Sequence, residues 1–99
     1  MKEAYTLAQL QSVLIPVFQR NNIKKAVLFG SYSKGKATAR SDVDLLVDSG
    51  LRGLAFFGLA DDVHESLKCD VDLIDVQDVI PNSPVDLEIK RTGVVIYER

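Results

Sequence analysis

Two apolar segments separated by a glycine-serine pair constrain the fold of this chain most strongly. Residues 26–29 are all apolar, which is typical of a buried strand. Residues 42–47 place an apolar side chain at every second position, which is the periodicity of a strand with one buried face. Gly30-Ser31 and the polar stretch 32–41 lie between them. The pattern predicts two strands joined by a glycine-containing loop, with acidic residues at the start of the second strand.

The rest of the chain alternates between helical and strand patterns. Apolar residues recur at helical spacing in three segments, and two further segments have the pattern of strands. The predicted helices cover 7–20, 54–67 and 84–92, and the further predicted strands cover 70–76 and 94–97. The order helix-strand-loop-strand-helix-strand-helix-strand predicts an α/β (α+β) fold, with a small mixed β-sheet flanked by helices.

Several residues predict where the helices begin and where the first one is disturbed. Thr6 and Gln9 fit a capping box, and Ser83 can cap the last helix with Pro84 at its first position. Pro16 stands inside the first helix. Proline in a helix interior removes a hydrogen bond and clashes one turn back, at a cost of roughly 3 kcal/mol. We therefore expect a kink, or a second helical piece beginning near Pro16.

Length and composition are those of a small globular protein. The 99 residues are 46% hydrophobic and 26% charged, which predicts a single domain, 1–99, and excludes a disordered tail or a coiled coil. No apolar run approaches the roughly 20 residues that cross a bilayer. No secretory signal is evident, and the one cysteine, Cys69, cannot form an internal disulfide. We expect a cytoplasmic protein with no membrane association.

The charge balance bears on the class of partner. The chain has 12 basic and 14 acidic residues, which gives a net charge of −2. Proteins that bind a nucleic-acid backbone usually carry a basic surplus. Stable DNA binding is therefore not expected.

Gly30-Ser31 stands at the carboxyl end of a predicted buried strand, where α/β sheets place their ligand crevices. Glycine lets the backbone turn and lets a phosphate approach closely, and the Ser31 hydroxyl adds a donor. If a short helix begins after Ser31, its free N–H groups would favour an anion. Lys34, Lys36 and Arg40 are long enough to reach a phosphate there, although each is equally well explained as a solvated loop residue.

Asp42 and Asp44 share one face of the second predicted strand, because residues i and i+2 lie about 6.5–7 Å apart on the same side. At an effective dielectric constant of about 20, two such charges about 5 Å apart repel by roughly 3 kcal/mol. A cation between them relieves that repulsion, and Mg²⁺ suits carboxylate ligands. Asp70 and Asp72 repeat the geometry on the next strand, and a third carboxylate from there would complete a two-metal clamp. The alternative readings are a turn at Asp42 and a solvated face at Asp72.

The spacing of these residues resembles a known signature. Gly30-Ser31, ten residues and then Asp42-x-Asp44 is similar to the motif of the DNA polymerase β-like nucleotidyltransferase superfamily. The segments LFGSYSKG, VDLIDV and GVVIYE resemble its minimal branch, the MNT-type nucleotidyltransferases of bacteria and archaea. The similarity covers about 23–98.

The resemblance implies a nucleotidyltransferase fold and an enzyme that transfers AMP from ATP to a hydroxyl, releasing pyrophosphate. It also implies Mg²⁺ as the cofactor, as two ions. Carried over by position, the phosphate-binding residues would be Gly30, Ser31, Lys34 and Arg40, and the catalytic, metal-binding carboxylates would be Asp42, Asp44 and Asp72. Asp72 would help to activate the acceptor hydroxyl, with Asp70 as the alternative.

The resemblance also implies a partner. Many MNT-type proteins are encoded beside a HEPN-domain ribonuclease toxin, and they resemble antitoxins that silence the toxin by AMP transfer to a tyrosine. A HEPN toxin is therefore the expected acceptor, and the sequence allows a homo- or hetero-oligomer. Two alternatives stay open. The chain could be a non-catalytic antitoxin that covers its partner, or a nucleotidyltransferase that modifies a small aminoglycoside-like compound.

Overall fold

The computed structural model describes residues 4–38 and 41–99, in which three α-helices and four strands follow one another in the predicted order. The elements are α1 (Leu7–Arg20), β1 (Lys25–Phe29), β2 (Val43–Asp48), α2 (Leu54–Leu67), β3 (Val71–Asp75), α3 (Pro84–Thr92) and β4 (Val94–Glu98). None of the described helices is long and apolar enough to span a membrane.

The four strands form one mixed sheet in the order β3-β2-β1-β4. β1 lies in the centre and pairs antiparallel with both β2 and β4. β2 pairs parallel with β3, because α2 carries the chain back across the sheet between them. The predicted small mixed sheet with flanking helices is therefore confirmed.

One face of the sheet is sealed by α1 and α2. Alternate strand residues and one stripe of each helix form a continuous apolar core against that face. The fully or almost fully buried core residues are Leu10, Leu14, Val17, Phe18, Ile23, Ala26, Leu28, Val43, Leu45, Val47, Leu59, Val63, Leu67 and Ile96. The side chains between them along each strand, Asp44 included, point to the opposite face.

The opposite face is covered only in part, by α3. A Cβ built on Gly93, directly after α3, would stand 2.5 Å from the Ile89 carbonyl oxygen and 2.9 Å from Cγ1 of Val27. The end of α3 is therefore packed closely against β1. This contact brings α3 beside the face of the sheet that carries the acidic residues of β2.

The first helix begins as predicted but does not break. Thr6 and Gln9 form the capping box, with Gln9 N–H donating to Thr6 Oγ1 at 3.1 Å and Thr6 N–H donating to Gln9 Oε1 at 2.8 Å. α1 runs through Pro16 to Arg20, so the expectation of a second helical piece is wrong. Pro16 lies on the exposed side, where water can bond the carbonyl that it leaves without a donor, and buried residues on both sides of it hold the helix to the core.

The third strand is shorter than predicted. The strand pattern extends to Val76, but β3 ends at Asp75 and a single 3₁₀ turn follows over Val76–Asp78. Asp75 causes the change, because its carboxylate accepts a hydrogen bond from the Gln77 N–H at 3.0 Å and so caps the turn. Local side-chain bonding has replaced the strand ladder here.

Candidate active site

The Gly30-Ser31 pair lies in a compact turn at the carboxyl end of β1. Gly30 has φ of +76°, and its N–H donates to the Thr92 hydroxyl at 3.0 Å. Its carbonyl accepts the Ser33 hydroxyl at 2.9 Å and the Lys34 N–H at 3.2 Å. Residues 30–35 form turns only, so the short helix considered after Ser31 is not found. An anion here would meet turn backbone and side chains instead of a helix N-terminus.

Gly30 and Asp44 are packed closely together. Phe29 is the antiparallel partner of Asp44, which places Gly30 just past the end of that pairing. A Cβ built on Gly30 would overlap Oδ2 of Asp44 and stand 3.4 Å from its Cγ. Only glycine leaves room at this position, because any Cβ would displace the carboxylate and the positive φ already disfavours other residues.

Two of the predicted carboxylates lie on neighbouring parallel strands. Asp44 of β2 and Asp72 of β3 are register partners, so their side chains point to the same face. Asp42 lies two residues before Asp44 and, like Asp72, is exposed, whereas Asp44 is half-buried. Asp70 is exposed before β3 begins, and its carbonyl accepts the Val43 N–H at 3.0 Å. The strand pairing therefore sets Asp72, and not Asp70, beside Asp44.

The electrostatics of this group are unfavourable in the absence of a cation. Partial burial raises the pKa of Asp44 above its ordinary value, and the negative charges of Asp72, Asp42 and Glu88 raise it further. A group of carboxylates on one open face is the oxygen-rich, negatively charged donor set that a hard divalent cation prefers. Within 4–38 and 41–99, no three His, Cys, Asp or Glu side chains are already converged as ion ligands. The carboxylates are neighbours on one face and have the donor chemistry that suits a divalent cation, but their oxygens do not converge on one point.

The basic residues near the turn differ in their surroundings. Lys34 Nζ pairs with Glu88 Oε1 of α3 at 3.1 Å. Lys36 is exposed, and its N–H donates to the Ser31 carbonyl at 3.0 Å. Arg40, the third predicted phosphate contact, lies outside the described residues. Lys34 is thus a basic residue of the turn that a described ion pair ties to α3.

Two residues of α3 complete the site and were missed from the sequence. The Thr92 hydroxyl accepts from Gly30 N–H and donates to the Glu88 carbonyl at 2.8 Å, which ties the turn to the helix end. Glu88 adds its negative charge to the surroundings of Asp44. The only available signal was their i, i+4 spacing just before Gly93, which places both on one helix face.

Comparison with known proteins gives the family of this chain. The family described as "Polymerase beta, Nucleotidyltransferase" matches residues 13–99. The "Putative protein adenylyltransferase" of Methanocaldococcus jannaschii is 28% identical over 75 residues, covering 74% of this chain and 81% of that protein.

Two solved structures extend the comparison. The crystal structure of a toxin-antitoxin with AMP-PNP is 28% identical, with a TM-score of 0.73 over 90% of this chain and 73% of the matched chain. The tri-AMPylated HEPN toxin of Shewanella oneidensis in complex with its MNT antitoxin contains a chain that is 24% identical. Its TM-score is 0.69 over 95% of this chain and 74% of the matched one, a likeness of fold. Since the family match covers most of the chain, this protein belongs to the polymerase β nucleotidyltransferase family.

Proposed function

We propose that this protein transfers AMP from ATP to a hydroxyl of another protein, a tyrosine of a cognate HEPN toxin, and so acts as its antitoxin. The observation that carries the proposal is the close packing of Gly30 on Asp44, which brings the glycine-serine turn against a group of carboxylates. Support comes from the relatives, one named a protein adenylyltransferase and one an antitoxin complex with AMP-PNP.

The polyphosphate of ATP would bind at the turn. The Gly30 N–H already donates to the Thr92 hydroxyl, so Gly30 would contribute by letting a phosphate approach the backbone closely. The Ser31 hydroxyl would offer a hydrogen-bond donor. Lys34 supplies positive charge from the same turn. Arg40 stays in the proposal as a further phosphate contact on the strength of its position in the motif alone.

Asp42, Asp44 and Asp72 would hold Mg²⁺, as two ions. Their shared face and the mutual repulsion felt by Asp44 are the features that fit a divalent cation. When bound, the ions would neutralise phosphate charge and favour ionisation of the acceptor hydroxyl. Without them, the same carboxylates would repel ATP.

The chemical step is a displacement at the α-phosphorus. The acceptor oxygen forms a bond to that phosphorus while the bond to the β-phosphate bridging oxygen breaks, so pyrophosphate leaves. The proton of the acceptor hydroxyl goes to Asp72, which is exposed beside half-buried Asp44 and is open to an incoming side chain.

The openness of the site favours a protein acceptor over a small molecule. Asp42 and Asp72 are exposed on a sheet face that α3 covers only in part, whereas a small acceptor would need an enclosing pocket. When the acceptor is a tyrosine of a second protein, that protein would itself enclose the reacting hydroxyl. We further propose that 1–99 act as one minimal catalytic unit in the cytoplasm, where ATP and a toxin partner are both present.

Incubation with ATP, Mg²⁺ and the purified toxin tests the proposal. Intact-mass spectrometry of the toxin should show added AMP units, and the double variant Asp42→Asn, Asp44→Asn should abolish them. Asp61→Asn removes an exposed carboxylate of α2 and is the matched control, which should modify the toxin like the wild type. Undiminished modification by the double variant would contradict the mechanism. Toxin inhibition without ATP and without a mass change would instead favour a non-catalytic antitoxin.

A further inference from the structure

Glu88 of α3 holds the side chain of Lys34, a residue of the glycine-serine turn. The distance from Lys34 Nζ to Glu88 Oε1 is 3.1 Å. The Lys34 backbone is fixed in the turn, because its N–H donates to the Gly30 carbonyl. The two side chains are 39% and 26% exposed, so solutes can reach the pair. The ion pair therefore links the proposed phosphate-binding turn to a helix that packs beside it.

The pair lies beside the acidic face. The charge of Glu88 acts on Asp44, so Lys34 is paired with a carboxylate whose charge reaches the acidic face. This is where the polyphosphate of ATP would arrive. A polyphosphate offers Lys34 several charged oxygens in place of the one carboxylate oxygen with which it pairs, so more than one charge-assisted hydrogen bond can form.

Glu88 does not lose its only partner if Lys34 leaves. Its second oxygen, Oε2, is bonded by the guanidinium of Arg91, three residues further along α3. The carboxylate therefore keeps a counter-charge after the exchange, which lowers the free energy needed to release Lys34. The shared carboxylate is suited to hold the lysine temporarily.

We infer that Glu88 is a positioning residue that holds Lys34 in the nucleotide-free enzyme and releases it to the polyphosphate of ATP. The inference rests on the proposed function. Lys34 is paired with Glu88 before ATP binds, and breaking this ion pair costs free energy. The ion pair therefore lowers the affinity for ATP. Glu88 thereby sets how readily the turn accepts a polyphosphate.

A double-mutant cycle on ATP affinity tests this inference. Calorimetric titration with ATP and Mg²⁺ would compare the wild type with E88Q, K34Q and the double variant. E88Q should bind ATP about threefold to fivefold more tightly than the wild type, because Lys34 is released. In the K34Q background the same change should alter the affinity less than about twofold, since only the general loss of a negative charge remains.

The control is a similar ion pair elsewhere. Glu65 and Lys68 of the α2 end pair at 3.3 Å, and E65Q should leave the ATP affinity within about 1.5-fold of the wild type. An equal effect of E88Q in both backgrounds, or weaker binding by E88Q, would overturn the inference. Absence of ATP binding by the wild type would instead contradict the proposed function.

A second measurement uses the wild type, so it does not require that a variant protein folds. In the wild type, the NMR signal of the Lys34 ammonium should shift when ATP is added, while that of Lys68 should not. An unchanged Lys34 signal at saturating ATP would overturn the inference.

Discussion

At the scale of single residues, Asp44 is placed where it destabilises the fold. Its carboxylate is half-buried, lies against Gly30 and is surrounded by the charges of Asp72, Asp42 and Glu88. Such an arrangement is expected where function and stability conflict, because a site prepared for a cation is electrostatically strained without one.

Asp44→Asn should therefore stabilise the ion-free protein while abolishing transfer. The pKa of Asp44 in the fold lies above its ordinary value of 3.8, so its destabilising effect appears as the pH rises through that value and is complete above the folded pKa. We expect a gain of about 1 kcal/mol at pH 7 and none in strong acid. Urea unfolding with EDTA present, at several pH values, measures this, with Asp61→Asn as the control. A variant less stable than the wild type at pH 7 would contradict the argument.

Gly30 and Gly35 are a matched pair of positions for testing why the turn needs glycine. Both have positive φ, +76° and +71°, but Gly30 has Asp44 against the place of a Cβ, whereas no described residue lies within 4 Å of that place at Gly35. Gly30→Ala should lose about 2–3 kcal/mol and most of the activity, whereas Gly35→Ala should lose only about 1 kcal/mol, from backbone strain. Thermal unfolding and the toxin modification assay measure the two effects. Equal losses would show that strain alone requires glycine at position 30.

At the scale of elements, one buried carboxylate joins the ends of β2 and β3. Asp75 is 3% exposed and accepts Ser49 Oγ at 2.5 Å, Ser49 N–H at 3.1 Å and Gln77 N–H at 3.0 Å. Ser49 Oγ in turn accepts the Leu51 N–H at 3.0 Å. The network holds two parallel strands in the register that sets Asp44 beside Asp72.

Asp75→Asn should destabilise the protein by about 1–3 kcal/mol at pH 7, because it removes a charged acceptor from buried donors. Burial alone would raise the pKa of Asp75, but the bonds from Ser49 and Gln77 and the charge of Arg52 outweigh burial and lower it. The stabilisation is therefore present above the ordinary value of 3.8 and is lost as the pH falls through the lower folded pKa. Chemical unfolding at pH 7 and in acid measures the difference.

The control for this variant lies in the neighbouring 3₁₀ turn. Asp78 is exposed there, so Asp78→Asn should change stability by less than about 0.5 kcal/mol. If Asp75→Asn were equally harmless at pH 7, the network would not hold the strands together.

At the scale of the whole molecule, the apolar core and the proposed catalytic carboxylates lie on opposite faces of the sheet. The core lies between α1, α2 and one face, while the carboxylates lie on the face that α3 covers in part. Carboxylates can therefore be changed without opening the core. The open face is also where a second protein can approach.

Core truncations should show this asymmetry. Leu14 is fully buried between α1 and the sheet, and Leu14→Ala should cost about 2–5 kcal/mol. Leu46 is half-buried on the α3 face, and Leu46→Ala should cost less than about 2 kcal/mol. Urea unfolding measures both variants. Similar losses would show that the α3 face is packed as tightly as the core.

Local patterns predicted most of the fold and the candidate residues. The spacing of apolar residues and the caps at Thr6 and Ser83 depend on neighbours within a few positions, so the elements were predictable. Two local expectations differ from the structure: no second helical piece begins near Pro16, and the third strand ends at Asp75 and not at Val76. In the first case burial outweighed helix propensity, and in the second a side chain, Asp75, competed with the strand ladder.

The sequence alone determined the order of helices and strands and the motif from Gly30 to Asp44, because each depends on residues close together along the chain. It also determined the family, whose match extends over residues 13–99. Tertiary structure decided that Asp72 is the carboxylate beside Asp44, and that Glu88 and Thr92 join the turn. Gly30 and Thr92 are 62 residues apart, and no periodicity encodes that contact. Strand register and helix packing, which form only when the core closes, bring these groups together.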